Sequence, residues 1–589
     1  MQALNVFEYV KQGEVGYQKP ITLEDGWNWS MKDHLRRSYL YKNSQFEEQN
    51  ENRDLRPNKN IILAILNVQY RSEGFDVKDI ELYVNSVVEY YKSFLVKKFH
   101  DNWALENNID TFIDETVESY CDYGGTLVRD IMSSRPEVVD LRTIAFCNQT
   151  NILAYPFCIK HTFSPSQLRE NDMWGKDSNG ATIDIESLIT LCKDEKEIIV
   201  YELIGTLPSE WLDVRVKEEG IMDTQQIQVI AFYKKEGDDR QGVCLFKKRL
   251  PKLPFKFLAR DEIKGRALGR GGVEELFEEQ SWTNWNEIKV TEMLEAASKI
   301  IHLSDDPQVA SKHPTGLKNL SSNEIIQVGE GKKGVWQMDT SPRTLQLFNN
   351  AIDRWYNSAQ TKGSAQDSMM GETPNSGTPF KLYEAQIIQS QGMHKYRQGK
   401  IAVFMEEIYR DWIIPHAENE IVKDNTFLSE LSSEELQKTV DQVTINRTNE
   451  AIKERLLSGI NVTPEEQAIM MQNGKNAYLK DNKKFIEILK DEFKKKSLSV
   501  RANIAGKQKN LAMLTDKLVN VMRQYIDMRS KGVDPTGLDP ILNTILESSG
   551  MSPIMFSYPN QPVQQQQGQP NNQGLQQLSQ INQKNAGTI

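Results

Sequence analysis

The sequence predicts an α+β fold made mainly of helices, and three observations carry that prediction. Apolar residues recur at three- and four-residue spacings over long stretches. Four short runs rich in β-branched and aromatic residues lie between positions 151 and 247. Two helical segments, 273–301 and 343–358, bracket a short hairpin-like insert.

Taken in chain order, Ile80, Val84, Val87, Tyr91 and Phe94 place one apolar stripe on a helix over 77–99. A second helix starts with Asp110 as N-cap, runs through Ile113, Val117 and Cys121, and meets Gly124 and Gly125, which interrupt or end it. Strands follow at 151–159, 197–203, 227–233 and 243–247, separated by turn-rich stretches such as 236–239, so that an α+β domain closes near Leu258. The Gly- and Arg-rich stretch 261–272 leads into a helix with Val273, Leu276, Phe277, Ile288 and Leu294 on one face, and Trp282 and Trp285 off its centre. About 28 residues at about 1.5 Å each span roughly 40 Å. The insert, 303–338, holds short strands at 324–328 and 335–338 around a glycine turn, and Leu345, Phe348, Ile352 and Trp355 bring the helix back.

A loop of Gly, Ser, Met and Pro covers 359–379. Loops of about 20 residues without secondary structure are uncommon inside compact domains and often functional. The next helix opens at Phe380 and carries Tyr383, Ile387, Ile401, Phe404, Ile408 and Trp412, with Gly392 and Gly399 as places to kink and Pro415 as its stop. Charged helical sequence continues to Lys496. Leu511, Leu514, Leu518, Val521, Tyr525 and Met528 then form a heptad seam closed by Gly532, and Asp539 with Pro540 starts a last helix that Gly550 ends. From Ser557 the chain is Gln, Asn, Pro and Gly with Lys584 as its only charge, a composition that predicts disorder.

Composition narrows the function classes. At 589 residues the chain supports several cores, and its 39% hydrophobic and 26% charged residues are those of a globular protein. No run of about 18 apolar residues exists, and positions 1–10 lack a basic stretch followed by an apolar one, so neither a membrane span nor a leader is expected. Cys121, Cys147, Cys158, Cys192 and Cys244 are odd in number and irregularly spaced, which predicts buried reduced thiols in place of a disulfide or zinc framework. A formal charge of −11 argues against broad, tight binding to nucleic acid.

Motifs give little chemistry. Gly329, Gly331 and Gly334 satisfy G-x-G-x-x-G, but a strand follows where a dinucleotide site needs a helix, so a hairpin turn with Lys332 and Lys333 at its tip is expected. No Gly-Lys pair is followed by Ser or Thr, which excludes a Walker A loop. Gly175, Asp177, Asn179, Gly180 and Glu186 match a calcium loop except at its first ligand, where glycine supplies no oxygen. The seven histidines show no metal-ligand spacing, and no G-x-S-x-G elbow appears. The pairs Glu274-Glu275 and Glu278-Glu279 suit the start of a helix, where the dipole favours negative charge. Lys483-Lys484 and Lys494-Lys495-Lys496 form the nearest approach to a phosphate-binding stripe. No catalytic residue, metal or cofactor is therefore expected.

Helix, small β insert, helix, long loop, long helix and a helical C-terminal region is an order that resembles the portal proteins, or head-to-tail connectors, of tailed bacteriophages. The residues that carry the resemblance are 268–276, Leu-Gly-Arg-Gly-Gly-Val-Glu-Glu-Leu, with Gln280 and Asn284, and 371–378, Gly-Glu-Thr-Pro-Asn-Ser-Gly-Thr. The glutamine-rich tail and the length are similar to portals of short-tailed phages, the crAss-like group among them. The resemblance rests on about 150 residues directly, the rest following by order.

It implies a portal-like subunit with 1–260 as an α+β wing, 261–302 as the first stem helix, 303–342 as the clip and 343–358 as the second stem helix. The channel loop would be 359–380, the long helix and inner wing 381–500, the crown 501–550 and the tail 551–589. It also implies a ring of 12 copies at one capsid vertex of a virion assembled in the host cytoplasm. Partners would be the major capsid protein, the terminase motor, tail adaptor proteins, and double-stranded DNA passing without sequence readout; no membrane is involved. Net negative charge suits a wall along which phosphate must slide. Lys362, Gln366, Met369, Met370, Glu372 and Asn375 are the loop residues expected near DNA, and Lys332, Lys333 and Trp336 the clip-tip residues expected to meet the motor or adaptor. A virion scaffold or tail protein with protein contacts alone is the alternative, and a hydrolase or nuclease a third reading that the missing ligand and nucleophile spacings disfavour.

Overall fold

The computed structural model describes residues 5–45, 59–84, 90–131, 135–171, 174, 183–192, 196–212, 222–234, 240–298, 302–312, 327–332, 335–337, 345–365, 369–370, 392–423, 433–480 and 500–504, with 520, 523 and 527. The chain divides into two compact units, Met1–Gln508 and Lys509–Ile589, and everything below belongs to the first. The fold is α+β and mainly helical, as its apolar periodicities predict.

Three helices open the chain, α1 (Val6–Tyr17), α2 (Met31–Lys42) and α3 (Ile62–Glu73), with a short pair β1 (Ile21–Thr22) and β2 (Asn28–Trp29) between the first two. Asn5 and Ser30 cap α1 and α2 by accepting the amides of Glu8 and Asp33, which satisfies donors the first turn leaves free. The stripe expected as one helix over 77–99 divides instead. Asp76 and Asp79 form a capping box around a single 3-10 turn, and β3 (Ile80–Val84) follows, paired antiparallel with Val500–Ile504. A strand partner more than 400 residues away overrides the local period, and the helix α4 begins only at Tyr90, ending at Glu106. Next, α5 (Ile109–Tyr123) buries Phe112, Ile113, Val117, Tyr120 and Cys121 and ends at Gly124, whose φ of +81° favours glycine.

Two antiparallel sheets carry most of the wing-like region. The smaller has the order β11-β4-β5, from β4 (Gly125–Arg129), β5 (Glu137–Val139) and β11 (Phe255–Ala259). The larger runs β10-β9-β8-β7-β6, from β6 (Ile144–Phe146), β7 (Phe157–Phe163), β8 (Ile198–Pro208), β9 (Asp223–Lys234) and β10 (Arg240–Arg249), with helices α6 (Pro165–Glu170) and α7 (Ile185–Leu191) in the connection from β7 to β8. The strand expected at 151–159 starts only at Phe157, because Asn151 accepts the amide of Leu153 and turns the chain first. Val10, Leu35, Leu127, Phe157, Leu203 and Val229 share the core that joins the sheets to α1 and α2.

After β11 come α8 (Gly272–Glu275) and α9 (Phe277–Ser298), so the helix expected over 273–301 is broken once, at Leu276. Beyond them lie β12 (His302–Ser304), α10 (Pro307–Lys312), β13 (Val335–Gln337) and α11 (Leu345–Lys362). The partner of β13 is β12 and not the strand expected at 324–328; Gln327 and Val328 are irregular, and 324–326 lie outside the described residues. The second helix is longer than the 343–358 expected, because its last turn is held to α9 by Lys362.

The chain resumes with α12 (Gly392–Ile408), a π-helical turn at Tyr409–Ile413, and α13 (Ile414–Lys423). Gly399 neither kinks nor ends α12, and Pro415 does not stop the helix. The π turn widens the winding just before the proline, where an α-helix would need its missing N–H and clash with the carbonyl four residues back. Lys256 donates to the Glu407 carbonyl at 2.9 Å beside this turn. The helices α14 (Ser433–Leu457) and α15 (Pro464–Lys480) and the strand β14 (Val500–Ile504) complete the unit. Ile401, Met405, Tyr409, Ile414 and Val443 pack with Val96, Phe112 and Val117 in a second core.

All five cysteines are free, four of them buried and Cys147 half-buried, as their spacing predicts. The helix start at Phe380, the lysine clusters at 483–484 and 494–496, most of the seam at 511–528, the helix at 539–550, the tail, and the glycine end of the calcium-like stretch all lie outside the described residues.

Candidate functional site: the helical hairpin and its foot

Helices α9 and α11 form an antiparallel hairpin, and its side-chain pairs run in opposite directions along the two chains. From the foot upward, Glu279 meets Lys362 and Ser358, Trp282 stacks on Trp355, and Trp285 packs against Phe348. The Trp282 and Trp355 rings are 6.0 Å apart and 8° from parallel. Antiparallel β12 and β13 occupy the connection at the other end, with Leu303 directly opposite Trp336.

The distribution of polarity on this hairpin is inverted. Glu279, Thr283 and Asn286, at i, i+4 and i+7 on α9, are buried. Trp282, Trp285, Leu294 and Leu347 are exposed, Leu347 at 67%. A helix pair made for water places its apolar stripe inward. Large apolar side chains grouped on one outer face mark a surface made to be covered.

The foot is built by close backbone packing and by buried charge. The backbone at 122–125 crosses the backbone at 260 and 269–271: the Gly124 carbonyl accepts both Arg260 N and Gly269 N at 2.9 Å. A Cβ on Gly269 would lie 1.3 Å from the Arg260 carbonyl oxygen, and one on Gly271 would lie 2.5 Å from the Asp122 carbonyl oxygen. The glycines of 269–272 therefore serve to bring the start of the hairpin against the end of α5. Gln280 fixes the next turn, accepting Ile61 N at 2.8 Å and donating to the Lys59 carbonyl at 2.7 Å and to Asn284 at 2.9 Å.

Glu73, at the C-terminal end of α3, lies at the centre of the charged cluster. Arg260 donates to its Oε1 at 2.9 Å, His394 Nδ1 is 3.1 Å and Arg397 Nη1 3.5 Å from the same oxygen, and the Cys121 thiol donates to Oε2 at 3.5 Å. Arg397 also binds Asp261 at 2.5 Å and Glu275 at 3.5 Å, and His394 Nε2 reaches the Ser364 carbonyl at 3.1 Å. Burial pushes the Glu73 carboxyl up, but the His394 hydrogen bond and the Arg260 and Arg397 charges outweigh it and leave it below the usual carboxylate range. One cluster thus ties α3, the end of β11, α8, the end of α11 and α12 together. A second buried set, Glu202 with Arg129 at 2.6 and 2.8 Å and His161 at 2.9 Å, joins the two sheets of the wing-like region.

The sequence-predicted residues fall into different settings. Lys362 closes α11 and is paired with Glu279 at 2.5 Å and Glu278 at 3.4 Å, which raises its pKa and leaves it engaged at the foot. Met369 and Met370 are half-buried against the Ile62, Ile65, Leu66 and Ala359 cluster, with Gln360 donating to the Met370 sulfur at 3.2 Å. Gln366, Glu372, Asn375 and Lys333 lie outside the described residues. Lys332 is exposed and donates to the Asp305 carbonyl at 3.1 Å, and Trp336 is exposed on β13. The sequence reading missed the Glu73 cluster altogether. Its members come from five separate segments, and no local pattern joins them.

Acid should weaken this fold. Glu73, Glu202 and Glu274 are all held below the usual carboxylate range by arginine or histidine partners in spite of burial, and burial lowers His34. In each case the unfolded chain binds the proton more readily, so the stability they confer is full above the unfolded values, about 6.5 for His and about 4.3 for Glu, and is lost as pH falls. Asp122, raised by burial, acts in the opposite sense but alone against four. The expected result is a lower Tm at pH 4 than at pH 7 by scanning calorimetry; a flat or rising profile would contradict the assignment.

No protein-family model matches the chain, and no curated protein matches it. Among solved structures, a chain of the "Virion of native gene transfer agent (GTA) particle" aligns over 78% of this chain and 98% of that one, at 7% identity and a TM-score of 0.30. A likeness that low carries no argument about this chain.

Proposed function

We propose that this chain is a portal-type subunit: many copies close into a ring whose central hole conducts double-stranded DNA at one vertex of a phage-like virion. The observation that carries the reading is the antiparallel hairpin of α9 and α11, with a small β pair in its far connection and its large apolar side chains turned outward. A ring of identical subunits needs a heterologous interface that closes on itself, and such a hairpin supplies one face of it. The helix–β–helix order and the 268–276 resemblance point the same way.

Within this reading the exposed Lys332 and Trp336, with Lys333, are offered to the packaging motor or tail adaptor. Contact with passing DNA is assigned to Gln366, Glu372 and Asn375 more than to Lys362, whose charge Glu279 and Glu278 already neutralise. The wing-like sheets would face the capsid, and no catalytic role is assigned.

The double variant Trp285→Ser/Leu347→Ser tests the interface. Both side chains are exposed in the single subunit, so monomer stability should move by no more than about 1 kcal/mol. Aromatic anchors at interfaces often contribute about 2 kcal/mol or more, so assembly should need at least about tenfold more protein. Mass photometry reads both species. Unchanged assembly would remove the hairpin face from the interface.

A further inference from the structure

A cleft of about 720 Å³ opens away from the hairpin, between the C-terminal half of α4, the bend at Asp130, the π turn and the start of α13. Its lining contains four carboxylates, those of Glu106, Asp130, Asp411 and Glu420, and no Lys or Arg. Between them stand aromatic rings: Trp103, whose ring centre is 6.0 Å from that of His416, and Trp412. Aromatic faces among carboxylates are the surroundings that a cationic side chain seeks, because the ring quadrupole and the formal charges attract it together.

The chain itself already uses this chemistry once. The Lys256 ammonium lies 5.4 Å from the centre of the Trp412 ring and 2.6 Å from Asp411. Hydrogen bonds from Arg410 and Lys256 hold the Asp411 carboxyl down to about 2, so it stays charged at neutral pH. Asp411, Trp412 and Ile413 all come from the π turn, and such turns are found frequently at functional sites. The surplus of carboxylates on the open side of the cleft is what Lys256 does not match.

We infer that this cleft is a docking site for a basic peptide segment of a different protein, one of whose Arg or Lys side chains enters between Trp103 and Trp412 while neighbouring cations meet Glu106 and Glu420. The inference stands apart from the ring proposal, since none of these residues belongs to the hairpin or its foot.

Anisotropy of a fluorescein-labelled hexa-arginine peptide, titrated with the full chain, tests it. The expected result is saturable binding that weakens at least fivefold in Glu106→Gln/Glu420→Gln. Asn419→Lys, a change at an exposed lining position that tethers an ammonium in the cleft, should weaken it similarly. Glu465→Gln/Glu466→Gln removes the same charge from the first turn of α15 and should leave the affinity within twofold. Equal losses in the cleft and control variants would assign the binding to overall acidity and overturn the proposal. So would unchanged affinity in both cleft variants, or cleft variants that abolish self-association of the chain without peptide, which would make a second copy the occupant.

Discussion

Gly269→Ala should destabilise the protein by at least about 3 kcal/mol, read as a fall in denaturant midpoint. The added methyl would stand 1.3 Å from the Arg260 carbonyl oxygen and 2.4 Å from its carbon, both backbone atoms that no side-chain rotation can move aside. Relief requires the two backbones to separate, and the pair of hydrogen bonds from Arg260 N and Gly269 N to the Gly124 carbonyl stretches with them. Gly399→Ala is the informative contrast. It lies inside α12 with nothing within 4 Å of the new Cβ, so it should stabilise by about 0.5–1 kcal/mol through lost freedom in the unfolded chain. Equal effects at the two positions would show that the close crossing at the hairpin foot is not what fixes glycine there.

Glu73→Ala should cost about 3–5 kcal/mol, because it leaves the Arg260 guanidinium, fully buried, without its main partner. Arg397 keeps Asp261 and is less affected. The diagnostic measurement is a double-mutant cycle: Arg260→Met should be expensive in the native background and markedly cheaper in Glu73→Leu, with a coupling above about 1 kcal/mol. Additive costs would mean that the two residues are held by their neighbours and not by each other. Since this cluster joins α3 to α8, α11 and α12, hydrogen exchange at both ends of the hairpin should quicken along with the loss of stability.

The parts of the fold that were legible in the sequence are those whose causes are local. The stripe Ile113, Val117 and Cys121 with Gly124 behind it gives α5, and the alternating β-branched runs give β8, β9 and β10. Where a distant partner decides, local pattern misleads. Ile80 to Val84 reads as helix but pairs with Val500–Ile504, and Pro415 reads as a stop but follows a π turn beside Lys256. The hairpin was visible as order and period, yet its inverted polarity was not, because Trp282, Trp285 and Leu347 look like core residues until the packing partner is known. The glycines of 269–272 were conspicuous as a motif, and only the crossing with 122–125 supplies their reason. Glu73, Asp261, Glu275, His394 and Arg397 were invisible as a group, since charge clusters assembled from remote segments leave no spacing to read.

Electron microscopy of the purified full-length chain in negative stain bears most directly on the ring. The account predicts closed rings of many subunits with an axial hole wide enough for duplex DNA, lost or shifted to higher concentration in Trp285→Ser/Leu347→Ser. Protein that stays monomeric across concentration and salt, or that associates only into open aggregates without an axis, would contradict it.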